Sequence, residues 1–161
     1  MSIFFIADLH FSDERILKYE NRPFKNAEEM NEQIIQNWNS VVTSDDKVFV
    51  LGDVGEASFV KELSGKKYLI KGNHDIHYNN FYRDSGFDEV YDVPIIYDNY
   101  WILSHEPLYV NSNMPYANIF GHVHNNPSYK DCSCQSFCVS VERIKYAPIQ
   151  FDEIKRKIEG N

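Results

Sequence analysis

Three short apolar runs, separated by segments with helical spacing, constrain the fold of this chain more than any other feature. The runs Ile3–Ala7, Val48–Leu51 and Tyr68–Ile70 have the length and continuity of buried strands. Between them, apolar residues at every third or fourth position predict a helix over about 27–40 and a short helix around 59–63. This β-α-β-α-β order predicts parallel strands connected by helical crossovers, and hence an α/β fold.

The second half of the sequence predicts further strands without that regular alternation. Pro94–Tyr97 and Tyr100–Ser104 flank the pair Asp98-Asn99, which is typical of a tight hairpin turn. No repeat or linker interrupts the sequence, so we predict a single domain over residues 1–161. The other predicted elements are strands at Asn118–Phe120 and Phe137–Val141, a closing helix marked by Phe151, Ile154 and Ile158, and loops at 105–117 and 123–135.

The charge and the hydropathy of the chain argue against several functional classes. The net charge is -8 and no cluster of Lys and Arg stands out, which argues against an extended nucleic-acid footprint. Bound metal ions would still make a site locally positive, so the charge does not rule against a nucleotide or a nucleic-acid end as substrate. No apolar stretch approaches the ~20 residues of a membrane span, and Ile3–Ala7 lacks the flanks of a signal peptide. We therefore expect a cytoplasmic protein without a membrane partner.

Three cysteines, Cys132, Cys134 and Cys138, lie within seven residues of one another. Their odd number and the absence of signal-peptide features argue against a disulfide framework. The cluster could hold a structural zinc ion with a fourth ligand, although its spacing differs from the usual Cys-x2-Cys pair. We expect reduced thiols without a function, with a zinc site and an adventitious disulfide as the alternatives.

Polar motifs follow five of the predicted strands, each just past the carboxyl end, where the ligand sites of open α/β sheets gather. Each motif alone has an ordinary structural explanation, such as a helix cap at Asp8, a turn at Gly52-Asp53 or a buried histidine at His105. Their joint occurrence at successive strand ends is much harder to attribute to chance, and it predicts one shared site. The motifs are Asp8-Leu9-His10, Gly52-Asp53, Gly72-Asn73-His74-Asp75, His105 and Gly121-His122-Val123-His124.

The residue types in these motifs are those of a metal centre. Imidazole nitrogen and carboxylate oxygen together suit manganese, iron or zinc, and a carboxylate has two oxygens with which to bridge two ions. Asp8 and His10 are two positions apart and can converge on one ion, whereas Asn73 offers a carbonyl oxygen without further negative charge. Two ions ~3.5–4 Å apart can activate water and stabilise the phosphoryl oxygens of an in-line displacement.

The motifs Asp-x-His, Gly-Asp, Gly-Asn-His-Asp, a single His and Gly-His-x-His, in this order over residues 8–124, resemble those of the calcineurin-like metallophosphoesterase family. The resemblance implies a two-sheet mixed β-sandwich flanked by helices, with the site at the strand ends. It also implies a phosphatase or phosphodiesterase that binds two divalent or trivalent metal ions, with manganese, iron or zinc as candidates. The expected reaction is in-line attack of a metal-held hydroxide on a small phosphomonoester or phosphodiester.

The resemblance assigns a role to each motif residue. Asp53 would bridge the two ions, and His74 would act as a general acid or stabilise charge near the leaving group. Asp75 would orient His74. Larger family members often carry an Asp three residues after the motif Asp, where this chain has Glu56, so Glu56 or Asp75 could serve as the partner of His74. The first ion would be held by Asp8, His10 and His124, and the second by Asn73, His105 and His122.

The segment Tyr19–Phe24 resembles an Arg-Pro-Phe stretch found in small bacterial and phage members of the family. Its arginine, Arg22, is the candidate contact for a phosphate of the substrate. The other interpretation, which we favour, is that Arg22 pairs with a carboxylate and fixes a loop.

Two alternative functions are compatible with the same fold. One is a catalytically inactive scaffold, and the other is a nuclease-type phosphodiesterase that acts on nucleic-acid ends. The presence of His74 and of all seven expected metal ligands favours catalysis over the scaffold. The sequence does not indicate an oligomeric state.

Overall fold

The computed structural model describes residues 1–160 and contains two β-sheets with helices around them. The strands within this range are β1 (Ile3–Ile6), β2 (Lys47–Val50), β3 (Lys66–Ile70), β4 (Glu89–Tyr91), β5 (Ile95–Tyr97), β6 (Trp101–Leu103), β7 (Ala117–Phe120), β8 (Cys132–Ser133), β9 (Ser136–Cys138) and β10 (Ile149–Gln150). The helices are α1 (Glu14–Tyr19), α2 (Ala27–Val41), α3 (Asn79–Asp84) and α4 (Phe151–Glu159), with 3₁₀ helices at Ala57–Glu62 and Val141–Arg143. None of these described helices has both the length and the apolar character that a membrane crossing requires.

The first sheet has the strand order β10-β1-β2-β3-β4, in which β1 to β4 are parallel and β10 is antiparallel to β1. The parallel pairing predicted from the β-α-β-α-β order is therefore confirmed. Both faces of this sheet are covered, which is why its strands read as continuous apolar runs. Met30, Ile34 and Trp38 of α2 are fully buried against the outer face. Asn26 caps this helix by accepting a hydrogen bond from the Glu29 amide at 2.8 Å.

The second sheet has the strand order β5-β6-β7-β9-β8, with β6, β7 and β9 parallel and both edge strands antiparallel to their neighbours. Its inner face packs against the first sheet around Phe5 and Ile119, and α4 adds Ile154 to the same apolar layer. The predicted hairpin is confirmed, because β5 pairs with β6 across Asp98 and Asn99. Both turn residues have left-handed φ angles, 51° and 55°, as a type I′ turn requires. The architecture is the predicted two-sheet mixed α/β fold.

The predicted strand at 137–141 ends earlier than expected, at Cys138, because the chain leaves the second sheet to meet the end of β1. The Ala7 amide donates to the Val139 carbonyl at 2.9 Å, and the Val141 amide donates to the Ala7 carbonyl at 3.1 Å. This junction fastens the two sheets together at one end. Other differences are β8 inside the expected loop 123–135 and a 3₁₀ helix in place of the expected short helix. The sequence patterns also did not indicate the strands β4 and β10, the six-residue helices α1 and α3 or the second 3₁₀ helix.

The three cysteines lie on and between β8 and β9, at one edge of the second sheet, and form no disulfide within residues 1–160. Burial raises the pKa of the Cys138 thiol to about 11. Among residues 1–160, no group of converging potential metal ligands includes a cysteine. The structure therefore offers no geometric support for the alternative of a cysteine-bound zinc ion.

Candidate metal centre

The motif residues meet at one end of the molecule, where parallel strands of both sheets finish. The loops that carry them follow β1, β2 and β3 in the first sheet and β6 and β7 in the second. The junction between Ala7 and Ser140 brings these two sets of loops together. Within each of two groups, the potential ligand atoms lie within 4.8 Å of one another. The first group is Asp8, His10 and His124, and the second is Asp53, His105 and His122.

Asp8 is the carboxylate of the first group, and it is fully buried. It accepts hydrogen bonds from the His122 amide at 2.9 Å and from Ser140 Oγ at 2.6 Å. Burial raises the pKa of Asp8, and the nearby His124 and His105 imidazoles oppose that rise. A carboxylate removed from water in this way is stabilised most effectively by a cation. The loop after β1 therefore presents a negative charge that needs a positive partner.

His105 is a buried ligand candidate of the second group, as Asp8 is of the first. Its Nδ1 lies 2.8 Å from the Leu51 carbonyl oxygen, and a protonated Nδ1 donates to that oxygen. Nε2 then keeps its lone pair for a ligand. This Nε2 lies 3.0 Å from Asn73 Oδ1 and 3.0 Å from His122 Nδ1. Asn73 therefore lies with the second group and offers it a neutral oxygen.

Asp53 lies between the two groups. Its Oδ2 is 3.4 Å from His10 Nε2 and 3.5 Å from His105 Nε2. Burial alone would raise the pKa of Asp53, but the two imidazoles and the His74 amide outweigh it and lower the pKa to about 2. His10 Nε2 is itself buried and has no hydrogen-bond partner among residues 1–160. A buried, unpaired nitrogen beside a shared carboxylate fits a metal ligand.

The backbone of the centre has an unusual conformation. Five of the expected metal ligands have left-handed φ angles between 46° and 68°, a region that residues other than glycine seldom occupy. Such residues cost of order 1–3 kcal/mol each and persist where the surrounding structure over-determines them, as at functional sites. These five are Asp8, His10, Asp53, His122 and His124.

Two glycines allow the loops to approach closely enough to form the centre. Gly52 has a φ of +87°, and a Cβ at this position would overlap His105 Nδ1 and the backbone of Gly72. A Cβ at Gly72 would overlap the Asp53 carboxylate and crowd His105. The glycines of the Gly-Asp and Gly-Asn-His-Asp motifs therefore set the distance between the loops.

His74 lies at the exposed edge of the centre. Its ring packs edge-on against the ring of His10, with 5.5 Å between the ring centroids. No side chain among residues 1–160 hydrogen-bonds the His74 imidazole. Glu56, one of its two candidate partners, instead accepts a hydrogen bond from Ser58 Oγ at 2.9 Å. The His74 ring is thus accessible to a substrate rather than held by a carboxylate.

Asp75, the other candidate partner of His74, faces the backbone instead. It is buried, and burial raises its pKa, which its hydrogen bonds to main-chain amides partly oppose. Within residues 1–160 its carboxylate makes no hydrogen bond to the His74 ring and instead orders the backbone of the turns that carry Asp53 and His74. Its donors are the amides of Asp53 at 2.7 Å, Gly72 at 2.8 Å and Val54 at 3.0 Å.

Arg22 is fully buried, since its side chain has no exposed surface. Nη2 donates to the Asp8 carbonyl at 2.7 Å, and Nη1 donates to the Leu9 carbonyl at 3.0 Å. Nε and Nη2 also lie 2.9 Å and 2.8 Å from Glu142 Oε1. These contacts agree with the favoured interpretation, in which Arg22 fixes a loop by pairing with a carboxylate, and they leave its guanidinium without a surface for a substrate phosphate.

Sequence reasoning missed Glu142, whose Oε1 also lies 3.0 Å from His124 Nδ1. Burial alone would raise the pKa of Glu142, but His124 and Arg22 outweigh it and lower the pKa. For His124 burial acts in the opposite direction and alone would lower the pKa, but the hydrogen bond to Glu142 and the charge of Asp8 raise this pKa overall. Glu142 directly follows the predicted strand 137–141, so the strand-end position that marked the other motifs could have indicated it.

Two open clefts reach the centre, each beside different ligands. The larger, of about 560 Å³, is lined in part by His10 and His74. The smaller, of about 230 Å³, is lined in part by Asn73 and His105. The potential metal ligands are therefore accessible from two directions.

Comparisons of the sequence with known proteins give a consistent family. A family profile described as calcineurin-like phosphoesterase matches residues 1–140. The uncharacterized protein MJ1445 of Methanocaldococcus jannaschii is 37% identical over 171 aligned residues, which cover 98% of this chain and 91% of that protein. The Gene 66 protein of Mycobacterium phage L5 is 34% identical over 80 residues, which cover 44% of this chain and 38% of that protein.

Solved structures share the fold. The protein of unknown function AQ665 from Aquifex aeolicus superposes with a TM-score of 0.73 at 26% identity, covering 96% of this chain and 98% of that one. The nuclease MPE of Pseudomonas putida superposes with a TM-score of 0.54 at 20% identity, covering 76% of this chain and 61% of that one. The second match is a likeness of fold alone, whereas the first spans nearly the whole length of both chains.

Proposed function

The chain belongs to the calcineurin-like phosphoesterase family, and on this basis we propose that it hydrolyses phosphate esters at a centre of two metal ions. The observation that carries this proposal is the position of Asp53. A single carboxylate oxygen, Oδ2, lies 3.4 Å from a histidine nitrogen of the first group and 3.5 Å from one of the second. An oxygen in this position can bridge two ions, and a bridged pair suits displacement at phosphorus.

The donor atoms of both groups suit a transition metal. Histidine nitrogen from His10 and His105, combined with carboxylate oxygen from Asp8 and Asp53, favours manganese, iron or zinc over calcium or magnesium. When bound, such ions supply an activated water and neutralise charge on the phosphoryl oxygens. Manganese is the ion to load first, because it binds such sites more weakly than zinc and so exchanges more readily.

His74 is the proposed proton donor to the leaving oxygen. Its amide donates to Asp53 Oδ1 at 3.0 Å, so the backbone of His74 is fixed beside the centre. Its ring is exposed in the larger cleft, next to His10, and no carboxylate in the described part of the chain hydrogen-bonds it. A positioned general acid contributes about 10²–10⁴-fold to the rate.

The two clefts favour a small phosphodiester as the substrate. A diester carries an organic group on each of two ester oxygens, whereas a monoester needs room for only one. The clefts of about 560 Å³ and about 230 Å³ provide space beside each group of ligands. The net charge of -8 disfavours a long nucleic acid, so a nucleic-acid substrate would be bound only at a short end.

Hydrolysis of p-nitrophenyl phosphate and of bis-p-nitrophenyl phosphate tests this proposal. Metal-stripped protein is reloaded with Mn²⁺ and assayed beside Asp53→Asn, which removes the shared charge but keeps the shape of the side chain. We expect faster turnover of the diester, lost in the variant. Turnover of the monoester alone would contradict the assignment to diesters. Two bound ions without turnover of either ester would favour the inactive scaffold.

A further inference from the structure

A buried network of three side chains lies behind the first group of ligands. Glu142 Oε1 accepts a hydrogen bond from Arg22 Nε at 2.9 Å, and it lies 2.8 Å from Arg22 Nη2 in an ion pair and 3.0 Å from His124 Nδ1. The side chains of Arg22 and Glu142 are 0% exposed, and that of His124 is 13% exposed. Of the three, only His124 belongs to the expected ligands.

Arg22 connects this network to the loop that carries the other two ligands of the first group. Its guanidinium donates to the carbonyls of Asp8 and Leu9, which immediately precede His10. Its carboxylate partner, Glu142, is 120 residues away along the chain. The guanidinium is planar and its donors form a fixed fork, so it sets the position of the loop after β1 relative to the carboxylate.

Glu142 also determines which nitrogen of His124 is available. An ionised carboxylate only accepts hydrogen bonds, so the hydrogen of the neutral His124 ring lies on Nδ1. Nε2 then keeps its lone pair, which is the usual arrangement of a metal-binding histidine that gives its other N–H to a carboxylate.

The network is more than an ordinary contribution to stability. Burying an ion pair costs several kcal/mol per ion, and well-packed apolar residues often serve a fold as well. The remaining oxygen, Glu142 Oε2, is buried and has no hydrogen-bond partner within residues 1–160, which adds a further cost. A pair retained at this cost directly behind His124 points to a role in holding that histidine.

We propose that Glu142 and Arg22 are positioning residues for the first metal ion. Glu142 sets the tautomer and ring orientation of His124, and Arg22 holds Glu142 against the loop that carries Asp8 and His10. This inference rests on the proposed function, because it presupposes a metal centre. Loss of the Glu142 carboxylate should weaken metal binding at the first position and leave the second position intact.

The tautomer of His124 can be measured without any metal. Long-range ¹H–¹⁵N spectra of metal-free protein distinguish Nδ1–H from Nε2–H in each histidine ring, at an alkaline pH where the ring is neutral. We expect the Nδ1–H form for His124, assigned by its absence in His124→Gln. A hydrogen on Nε2 would overturn the inference whether or not the protein is a phosphoesterase.

Calorimetric titration with Mn²⁺ measures the second consequence. Glu142→Gln should weaken one of two binding events by about 10–100-fold, the usual effect of removing a partner of a ligating histidine. Glu20→Gln is the matched control, because the Glu20 carboxylate also lies within 4.8 Å of the ligand atoms of His124 and Glu142, while its hydrogen bond comes from the Asn125 amide. The control should change neither affinity by more than about twofold.

Each other outcome is decisive. Unchanged affinities in folded Glu142→Gln, or equal losses at both positions, would overturn the inference and leave the proposed function intact. An equal loss in Glu20→Gln would make the acids themselves ligands, which also overturns it. If Glu142→Gln does not fold, Glu142→Asp keeps the charge beside Arg22 but is too short to hold His124 as well, and it should show the same selective loss. Wild-type protein that binds none of Mn²⁺, Fe²⁺ and Zn²⁺ would overturn the proposed function, and the tautomer alone would then decide whether Glu142 orients His124.

Discussion

The two groups of ligands in the candidate centre differ in what lies behind them. In the first group, His124 is backed by the buried carboxylate of Glu142, and Asp8 is fully buried. In the second group, His105 is backed by the neutral carbonyl of Leu51. An imidazole that donates to a carboxylate is a more basic ligand than one that donates to a carbonyl. We therefore expect the first position to bind its ion more tightly.

The two groups of ligands also differ in how far their side chains are exposed to solvent. Asn73 and His122 of the second group are exposed, whereas Asp8 and His10 of the first group are buried. A partly exposed position exchanges its ion and admits a substrate oxygen more readily than a buried one. We therefore expect the first position to hold its ion in place and the second position to remain open to ligands.

Asp53→Asn should lose the ions of both positions, so that the two positions no longer differ. The reason is that Asp53 Oδ2 adjoins a histidine of each group, at 3.4 Å and 3.5 Å. Turnover of the diester should fall by at least about 10⁴-fold, since several kcal/mol of transition-state stabilisation depend on the ions. Metal content and hydrolysis of bis-p-nitrophenyl phosphate measure this. Asp13→Asn is the control, because Asp13 also adjoins His10, at 3.9 Å, but lies outside both groups. Loss of only one ion from Asp53→Asn would contradict the shared position.

His74→Ala should separate catalysis from metal binding at either position. Both ions should stay bound, while hydrolysis of esters with poor leaving groups falls by about 10²–10⁴-fold and p-nitrophenyl esters suffer less. Steady-state rates on alkyl and p-nitrophenyl esters, with metal content, give the comparison. His77→Ala is a matched control, since His77 is exposed in the same loop and packs against Phe81 with ring centroids 4.2 Å apart. Unchanged hydrolysis of the alkyl esters would remove His74 from the mechanism.

His10→Ala and His105→Ala should divide the two positions. The first variant should weaken the tighter binding of Mn²⁺ and the second the weaker binding. Each loss should be at least about 10²-fold, because removing a ligand costs more than the roughly 10–100-fold caused by removing a ligand's supporting partner. Each variant removes a nitrogen from one group only. Titration calorimetry of both variants tests the assignment, and equal losses at both positions in either variant would argue against two distinct groups.

Asp46→Asn provides a reference outside both groups. Its carboxylate accepts hydrogen bonds from the Ser2 amide at 2.6 Å and from Thr43, and these lower the pKa of Asp46 below its ordinary value of 3.8. A lowered folded pKa means that the stabilisation is present above pH 3.8 and is lost as the pH falls through the folded value. At neutral pH the variant should lose about 1–2 kcal/mol of unfolding free energy.

Urea denaturation of metal-free protein across the acid range measures this loss. The difference between the wild type and Asp46→Asn should shrink as the pH falls below the ordinary pKa of the carboxyl group. Mn²⁺ binding should be the same in both proteins, because Asp46 contacts neither group of ligands. A difference in unfolding free energy that persisted at the lowest pH, or that depended on Mn²⁺, would contradict this account.

The gathering of the motif residues could be predicted because it depends on local rules. The carboxyl ends of parallel strands share one edge of a sheet, so residues just after them, such as Asp8 and Asp53, must lie close together. The turn at Asp98 and Asn99 was also predictable, since these residue types tolerate the left-handed backbone that a tight hairpin turn needs.

The features that the sequence did not reveal depend on contacts between distant segments. Glu142 acquires a role only through His124 and through Arg22, which is 120 residues away. Asp75 follows His74 in the motif, yet its carboxylate turns toward the backbone at Asp53. The helices α1 and α3 have six residues each, which is too few for a helical period to stand out.

The junction of the two sheets has a consequence for how the chain holds together. Each group of ligands takes members from both sheets: Asp8 and His10 meet His124, and Asp53 meets His105. An ion at either position would therefore act as a reversible cross-link, comparable to a disulfide that closes a loop of roughly 50 residues at the second position and more than about 100 at the first. A chain cut at the β5–β6 turn would yield two fragments, neither of which carries a complete group. Metal ions would then add to the apolar contacts and the β1–β10 pairing that hold the fragments together.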